Sequence, residues 1–258
     1  MAVEGVAGRS VLVTGAAGGI GAAVARIFEE AGATVARWDT AGVAGADLRA
    51  GGTLAVDVTD ADAVAAGFTA TEEAVGPVSI LVHAAGVLRT GSGLDRGGDW
   101  DTCMAVNATG TRNVAGEAAR RFVAAVAAGA DPGVIVGVSS NAAATPRAAM
   151  AAYGASKAAA TAYLRSLGLE LAPHGIRCNV ISPGSTDTPM LRGMWAAGSD
   201  ESASVIAGDA SAFRLGIPLG RIAHPDDIAR TALFLCSDAA RHITLHDLRV
   251  DGGATLDM

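Results

Sequence analysis

Short apolar runs alternate along this chain with longer stretches of helical period. "SVLVT" (10–14), "TVARWD" (34–39), "GTLAVDV" (52–58), "VSILVHAAG" (78–86), "GVIVGVSS" (133–140), "GIRCNVISPG" (175–184) and "HITLHDLRVDGG" (242–253) read as strands. Brief apolar runs bounded by turn residues have this look when buried on both faces. Between them, 19–32, 60–75, 99–129, 151–172 and 225–238 carry helical spacing. Gly32 closes the first helix, Asp60 is placed to cap the second, and Pro225 opens the last at its first turn. The helix over 151–172 is expected to stop before Pro173.

Strand and helix alternate from end to end. That pattern predicts an α/β fold: a Rossmann-like, doubly wound parallel sheet with helices on both faces, three layers, one domain over 1–258. No internal repeat and no linker divides the chain. The least regular stretch, about 185–217, follows a strand and is expected to be a substrate lid.

Composition then narrows the picture. Of 258 residues half are hydrophobic but only 4% aromatic, so the core must be packed from Ala, Val, Leu and Ile. The net charge of −7, with no basic block, excludes a phosphate-tracking nucleic-acid binder. No run of 18 apolar residues suits a membrane span, and the N-terminus lacks the pattern of a secretory signal. Cys103, Cys178 and Cys236 are scattered and form no CxxC. A soluble, reduced, cytoplasmic protein is expected. No GxSxG elbow is present. His242 and His246 fall in an expected strand without a third ligand, so no metal is expected.

The candidate cofactor end is "VTGAAGGIG" (13–21), directly after the first strand. Glycines there let a backbone approach a pyrophosphate, and the following helix offers N–H groups at its positive end. Gly15, Ala17, Gly19, Ile20 and Gly21 form this loop. Asp39 ends the second strand, where a carboxylate accepts from an adenosine ribose and repels a 2′-phosphate. That favours NAD over NADP. Arg37 could oppose this, but strand alternation points it to the other face. Asp57 and Val58 end the third strand, where an adenine would lie. Ala84, Ala85 and Gly86 end the fourth, with too little bulk to obstruct a ligand.

The candidate chemical end is "AAYGASKAAA" (151–160), which holds Lys157, the one lysine in a chain with 18 arginines. Tyr153 and Lys157 are i and i+4 on one helix face. A phenol is a poor base at neutral pH unless a neighbouring cation favours the phenolate. An ammonium is a compact charge for that purpose, whereas a guanidinium is broader. Ser140 ends the fifth strand, placed to hydrogen-bond a substrate oxygen. Arg147 precedes the catalytic helix, and Arg89 follows the fourth strand at the same sheet edge. Either could hold a carboxylate bidentately. Met190, Leu191 and Met194 could form an apolar lid.

The TGxxxGxG loop, Asn107, Ser140 and the YxxxK pair, in that order and spacing, resemble the short-chain dehydrogenase/reductase family over essentially the whole chain. The resemblance implies a catalytic tetrad of Asn107, Ser140, Tyr153 and Lys157. It implies that Pro183, Gly184, Thr186 and Thr188 surround a nicotinamide carboxamide, and that the chain forms a homotetramer. "HAAG" (83–86) departs from it, since the family usually has Asn at the first two positions. "TPRAAMAAYGASK" (145–157), "SPGSTDT" (182–188) and "ITLHDLRVDGG" (243–253) resemble family members that act on a small anionic cyclohexadiene carboxylate. That likeness implies NAD-dependent oxidation of a trans-dihydrodiol acid to an aromatic product, in siderophore biosynthesis. Ser140, Arg147, Arg89, Tyr153, Met190 and Met194 would then face substrate. Three rival readings stay open: an amino-substituted dihydrodiol as substrate, a general ketoreductase, and a regulator that binds NAD without turnover.

Overall fold

The computed structural model describes residues 3–94 and 99–256. Seven parallel strands form one sheet: β1 (Ser10–Thr14), β2 (Thr34–Asp39), β3 (Thr53–Ala55), β4 (Val78–His83), β5 (Val134–Val138), β6 (Arg177–Pro183) and β9 (Asp247–Val250). Their spatial order is β3-β2-β1-β4-β5-β6-β9. The chain thus winds one way from β1 and the other way from β4, and the two neighbours pair in parallel. Helices α1 (Gly19–Glu30) and α8 (Pro225–Cys236) cover one face. Helices α2 (Ala61–Val75), α4 (Gly110–Ala127) and α5 (Ala151–Leu171) cover the other.

Both cores are built as the composition requires. Val11, Val13, Val24, Ile80, Val82 and Ile228 fill one, with Phe28 the sole large ring. Leu12, Leu54, Val114, Ile135 and Leu164 dominate the other, around Trp38 and Phe68 packed edge to face. Burial of such side chains contributes roughly 1.5–3 kcal/mol each before entropy is counted.

Several boundaries differ from the sequence pattern. β3 is three residues long, because after Ala55 the chain leaves the sheet and Asp57 turns back on its own backbone, accepting from the Thr59 amide. The long helix over 99–129 is broken into α3 (Asp99–Cys103), a π-helical turn (Met104–Thr109) and α4. The Gly110 amide donates five residues back to Ala105, and the wider turn carries Asn107. α5 does not end abruptly at Pro173. A 3-10 turn, Ala172–His174, absorbs the proline in its first turn, where no amide is needed, and Gly175 closes it with φ 72°.

The expected strand over 242–253 pairs only at Asp247–Val250, so His242 and His246 lie in the turn before it. Leu245, at φ 63°, bends that turn, and Asn179 ties it down through the Ile243 carbonyl and the His246 amide. The 185–217 stretch is not structureless. It forms α6 (Pro189–Arg192), α7 (Ser202–Ala207) and a hairpin of β7 (Gly208–Asp209) with β8 (Arg214–Leu215). These pieces cap the C-terminal edge of the sheet. Among the described residues no helix is long and apolar enough to cross a membrane.

Candidate active site

The winding reverses between β1 and β4, and a crevice opens there at the C-terminal ends of the strands. Its floor is the turn between β1 and α1. Gly15 has φ 69°, and a Cβ on it would sit 2.8 Å from the Ala85 amide nitrogen. A Cβ on Gly21 would drive into the Gly15 carbonyl. Only glycine fits either position, because backbone already occupies the space. Gly15, Gly19, Ile20 and Gly21 line the crevice with Asp39, Asp57, Val58, Ala84, Ala85 and Gly86. A dinucleotide cradled by backbone requires such a lining.

Ala17 is placed differently. It is exposed and does not line the crevice, and its amide donates to Asp39 Oδ2 at 3.1 Å. The loop thereby holds the carboxylate in position. Arg37 turns away to pair with Glu29 at 2.7 Å, so no cation stands beside Asp39 on that strand.

Thr14 ties the strand ends together. Its hydroxyl oxygen accepts from the Ala84 and Ala85 amides, both at 3.2 Å, and lies 2.8 Å from His83 Nδ1. With two amides on the oxygen, the hydroxyl proton goes to Nδ1, which leaves the ring proton on Nε2. Nε2 has no hydrogen-bond partner among the described residues. Burial, and then the nearby Lys157 charge, lower the His83 pKa to about 3. His83 is therefore a neutral acceptor at the end of β4, and the strand end stays anchored despite the departure from the family's Asn.

Asn107 makes the next stitch. Its Oδ1 accepts from the Val87 amide at 2.8 Å, and its Nδ2 donates to the Val87 carbonyl and to Ser156 Oγ, both at 2.9 Å. The π-turn thus locks the segment after β4 onto α5. Asn107 does not line the cavity that holds Ser140, Tyr153 and Lys157. Its side chain works through the positions of its neighbours.

Ser140, at the exit of β5, and Tyr153, on the first turn of α5, are brought together. Both line the same cavity. Burial raises the Tyr153 pKa above its ordinary value, and the neighbouring Ser140 hydroxyl opposes that rise. Lys157, one helical turn along α5, makes no hydrogen bond to the Tyr153 hydroxyl among the described residues. Lys157 Nζ donates instead to the Val138 carbonyl at 3.0 Å. Burial brings the lysine pKa down to about 8. Its amine faces Gly86, where a Cβ would lie 3.1 Å from both Nζ and Asn107 Oδ1.

Pro183 ends β6, and Gly184 follows against Asp251. Thr188 caps α6 by accepting from the Leu191 amide at 3.3 Å. Thr186 and Thr188 are both buried. This turn forms the far wall, and a second cavity opens beside the crevice. Ile20, Ala84, Gly86, Thr188 and Met190 line both, so a ligand lying in the crevice would end at Tyr153.

Arg147, Met190, Leu191 and Met194 line the second cavity. Met190 and Met194 are partly exposed, whereas Leu191 is buried and also packs the base of the cap. Arg89 does not line it. It is exposed and its Nη1 donates to the Leu88 carbonyl. The structure also brings in Trp195, Glu201, Val205 and Arg214, which sequence reading missed. Their only signal was position within the irregular stretch after β6.

One family model matches this chain. Residues 15–255 fit the family described as enoyl-(acyl carrier protein) reductase, a short-chain dehydrogenase group. The chain belongs to the short-chain dehydrogenase/reductase family. Like its relatives it is an oxidoreductase. A 2,3-dihydro-2,3-dihydroxybenzoate dehydrogenase of Bacillus subtilis is 44% identical, with 99% of each chain covered. The Escherichia coli protein of the same name is 46% identical over 96% of this chain and 98% of the relative. Among solved structures, a 3-ketoacyl-(acyl-carrier-protein) reductase from Brucella melitensis, complexed with NADH, is 31% identical. It superposes with a TM-score of 0.82 over 97% of this chain and all of the other. As a short-chain dehydrogenase/reductase the chain takes a nicotinamide cofactor, and the glycine cradle and the slim Ala84–Gly86 wall fit one.

Proposed function

We propose that this chain oxidises 2,3-dihydro-2,3-dihydroxybenzoate to 2,3-dihydroxybenzoate with NAD, in the synthesis of a catechol siderophore. The observation that carries the reading is Arg147 on the wall that also holds Ser140 and Tyr153, in a chain 44% identical to a relative so named. A ring carboxylate in a net-acidic protein needs a cation, and this one is set where the hydroxyl can reach the base.

Bound NAD supplies the hydride acceptor. Tyr153, as phenolate, takes the proton of the substrate hydroxyl as the carbon–hydrogen bond breaks. Ser140 steadies the phenolate and lies within reach of the same substrate oxygen. Lys157, held by the Val138 carbonyl, keeps a positive charge beneath Gly86, where a ribose hydroxyl would accept from it. The ketone formed then loses its ring proton to oxygen by tautomerisation. Aromatisation makes the overall oxidation strongly favourable.

Asp39 supports NAD over NADP, since both its oxygens already accept from backbone amides and no cation faces it from Arg37. The protein is taken to be cytoplasmic and homotetrameric, with all residues 1–258 in one domain. Exposed Leu169 on α5 and Leu256 near the C-terminus offer apolar surface for such an assembly. The direct test supplies purified protein with NAD or NADP and the dihydroxybenzoate or 3-hydroxyanthranilate dihydrodiol, following reduced cofactor. Turnover of the dihydroxybenzoate compound with NAD is expected. Exclusive turnover of the amino compound, or none of either, would sink the assignment.

A further inference from the structure

Among the described residues three buried side-chain nitrogens lack any hydrogen-bond partner: His83 Nε2, Trp195 Nε1 and Arg214 Nε. Two of them, Trp195 and Arg214, belong to the same cavity wall as Arg147. Buried polar groups in native proteins are nearly always paired, and a buried charged donor is the costliest to leave unmade. Two orphaned donors on residues that line one cavity call for an acceptor that completes them.

The arginines support this independently. Arg26, Arg37, Arg120, Arg121, Arg192 and Arg221 each pair with a carboxylate. Arg147 and Arg214 do not, and no hydrogen bond holds either guanidinium among the described residues. They stand near enough for Arg214 to disfavour the charge on Arg147, after burial itself. Two carboxylates act on them without a hydrogen bond: Asp251 near Arg147, its oxygens taken by Asn141, Gly253 and Thr255, and Asp209 opposite Arg214 in the hairpin, its Oδ1 capping the Ser211 and Ala212 amides. Glu201, also on the wall, spends Oε1 on the Ala196 amide and Ser199. Two guanidinium groups that no carboxylate hydrogen-bonds among the described residues, on one cavity wall of a protein with net charge −7, define a local anion site.

We propose that the substrate carboxylate is clamped between Arg147, on the loop before α5, and Arg214, on β8 of the cap, with the Trp195 indole as a third donor. The proposal rests on the substrate reading above and deepens it. It assigns the cap hairpin a role in selecting an acid over its neutral analogue. A single carboxylate has lone pairs for a guanidinium fork and an indole N–H together. Because the two arginines come from different elements, the anion also fixes the cap relative to the catalytic helix.

The test measures binding of 2,3-dihydroxybenzoate and of neutral 2,3-dihydroxybenzamide to the protein–NAD complex by calorimetry. Wild type should bind the acid at least tenfold more tightly than the amide. R214Q should lose most of that ratio, R214K should keep part of it, and NAD affinity should not change in either. A wild-type ratio near one overturns the clamp, whatever the variants do. So does an unchanged ratio in R214Q that still binds NAD, or, if R214Q fails to fold, in R214M. Dihydrodiol turnover is followed in the same samples. Turnover with an Arg214-independent ratio removes the clamp and leaves the substrate reading. An Arg214-dependent ratio without turnover leaves the clamp and removes the substrate.

Discussion

Lys157 Nζ lies 3.0 Å from the carbonyl oxygen of Val138, the last residue of β5. The lone lysine of the chain is therefore moored to the sheet rather than to Tyr153, and it is buried there with 6% of its surface exposed. Its pKa of about 8 lies well below that of a free lysine. The folded state thus bears a cost for the charge that is fully present below pH 8. The cost is relieved between pH 8 and the unfolded value, as the native amine loses its proton first.

K157M should accordingly be inactive yet not unstable. At pH 7 the pKa difference corresponds to about 3 kcal/mol in favour of the variant, less the loss of the Val138 hydrogen bond, roughly 1 kcal/mol. Urea unfolding should show the variant's advantage shrinking as pH rises from 8 towards 10. A variant less stable than wild type at pH 7, or a pH-independent difference, would contradict this assignment.

His83 should limit acid stability. Its folded pKa is about 3, against an unfolded value near 6.5, so the unfolded chain binds the extra proton across that window. Stability is then lost as pH falls below about 6.5. H83N removes the titrating ring and its orphaned Nε2 while leaving an acceptor for Thr14. The unfolding free energy of H83N should fall less steeply than wild type between pH 6.5 and 4. Parallel curves would count against the role given to this ring.

Ser140 is the one group that lowers the Tyr153 pKa against burial. Because the phenolate is the base, oxidation should speed up as pH rises through that pKa. S140A should move this limb of the kcat/KM profile to higher pH as well as lowering the rate. Y153F should lose 10²–10⁴-fold or more, the usual range for a positioned general base, with NAD affinity kept. An S140A profile on the wild-type pH axis would show that the Ser140 hydroxyl does not tune the phenol.

Asp39 should decide the nucleotide. D39A should reduce kcat/KM with NAD at least tenfold and raise it with NADP, because the carboxylate that accepts a ribose and repels a phosphate is gone. Steady-state kinetics with both cofactors reads the result. An unaltered NAD-to-NADP ratio would transfer the discrimination elsewhere.

R147A should raise KM for the dihydrodiol acid by tenfold or more with a smaller effect on kcat. R221A should change neither, since Arg221 is exposed and paired with Asp227. Equal effects from both substitutions would take Arg147 out of the site.

The alternation of buried strand and helix was legible in the sequence because both faces of the sheet are covered. Apolar runs are then continuous, and glycine and proline mark the ends. The glycine loop, Asp39, Ser140, Tyr153 and Lys157 were legible for a related reason: each sits at a strand end or one helical turn from another, so local spacing places them. Nothing local could show what Lys157 and Asn107 hold. Their partners, Val138 for the lysine and Val87 and Ser156 for the amide, lie 19, 20 and 49 residues away. The same holds for Ala17, whose amide turns to Asp39, and for Arg89, which reads as a sheet-edge cation but does not line the cavity. Arg214 and Trp195 come from a stretch with no periodicity, and only the folding of α6, α7 and the hairpin over the sheet edge brings them to Arg147. Sequence by itself determined the fold and the order of the chemistry along it. Tertiary structure decided which charges go unpaired, because pairing depends on what packing leaves beside each group.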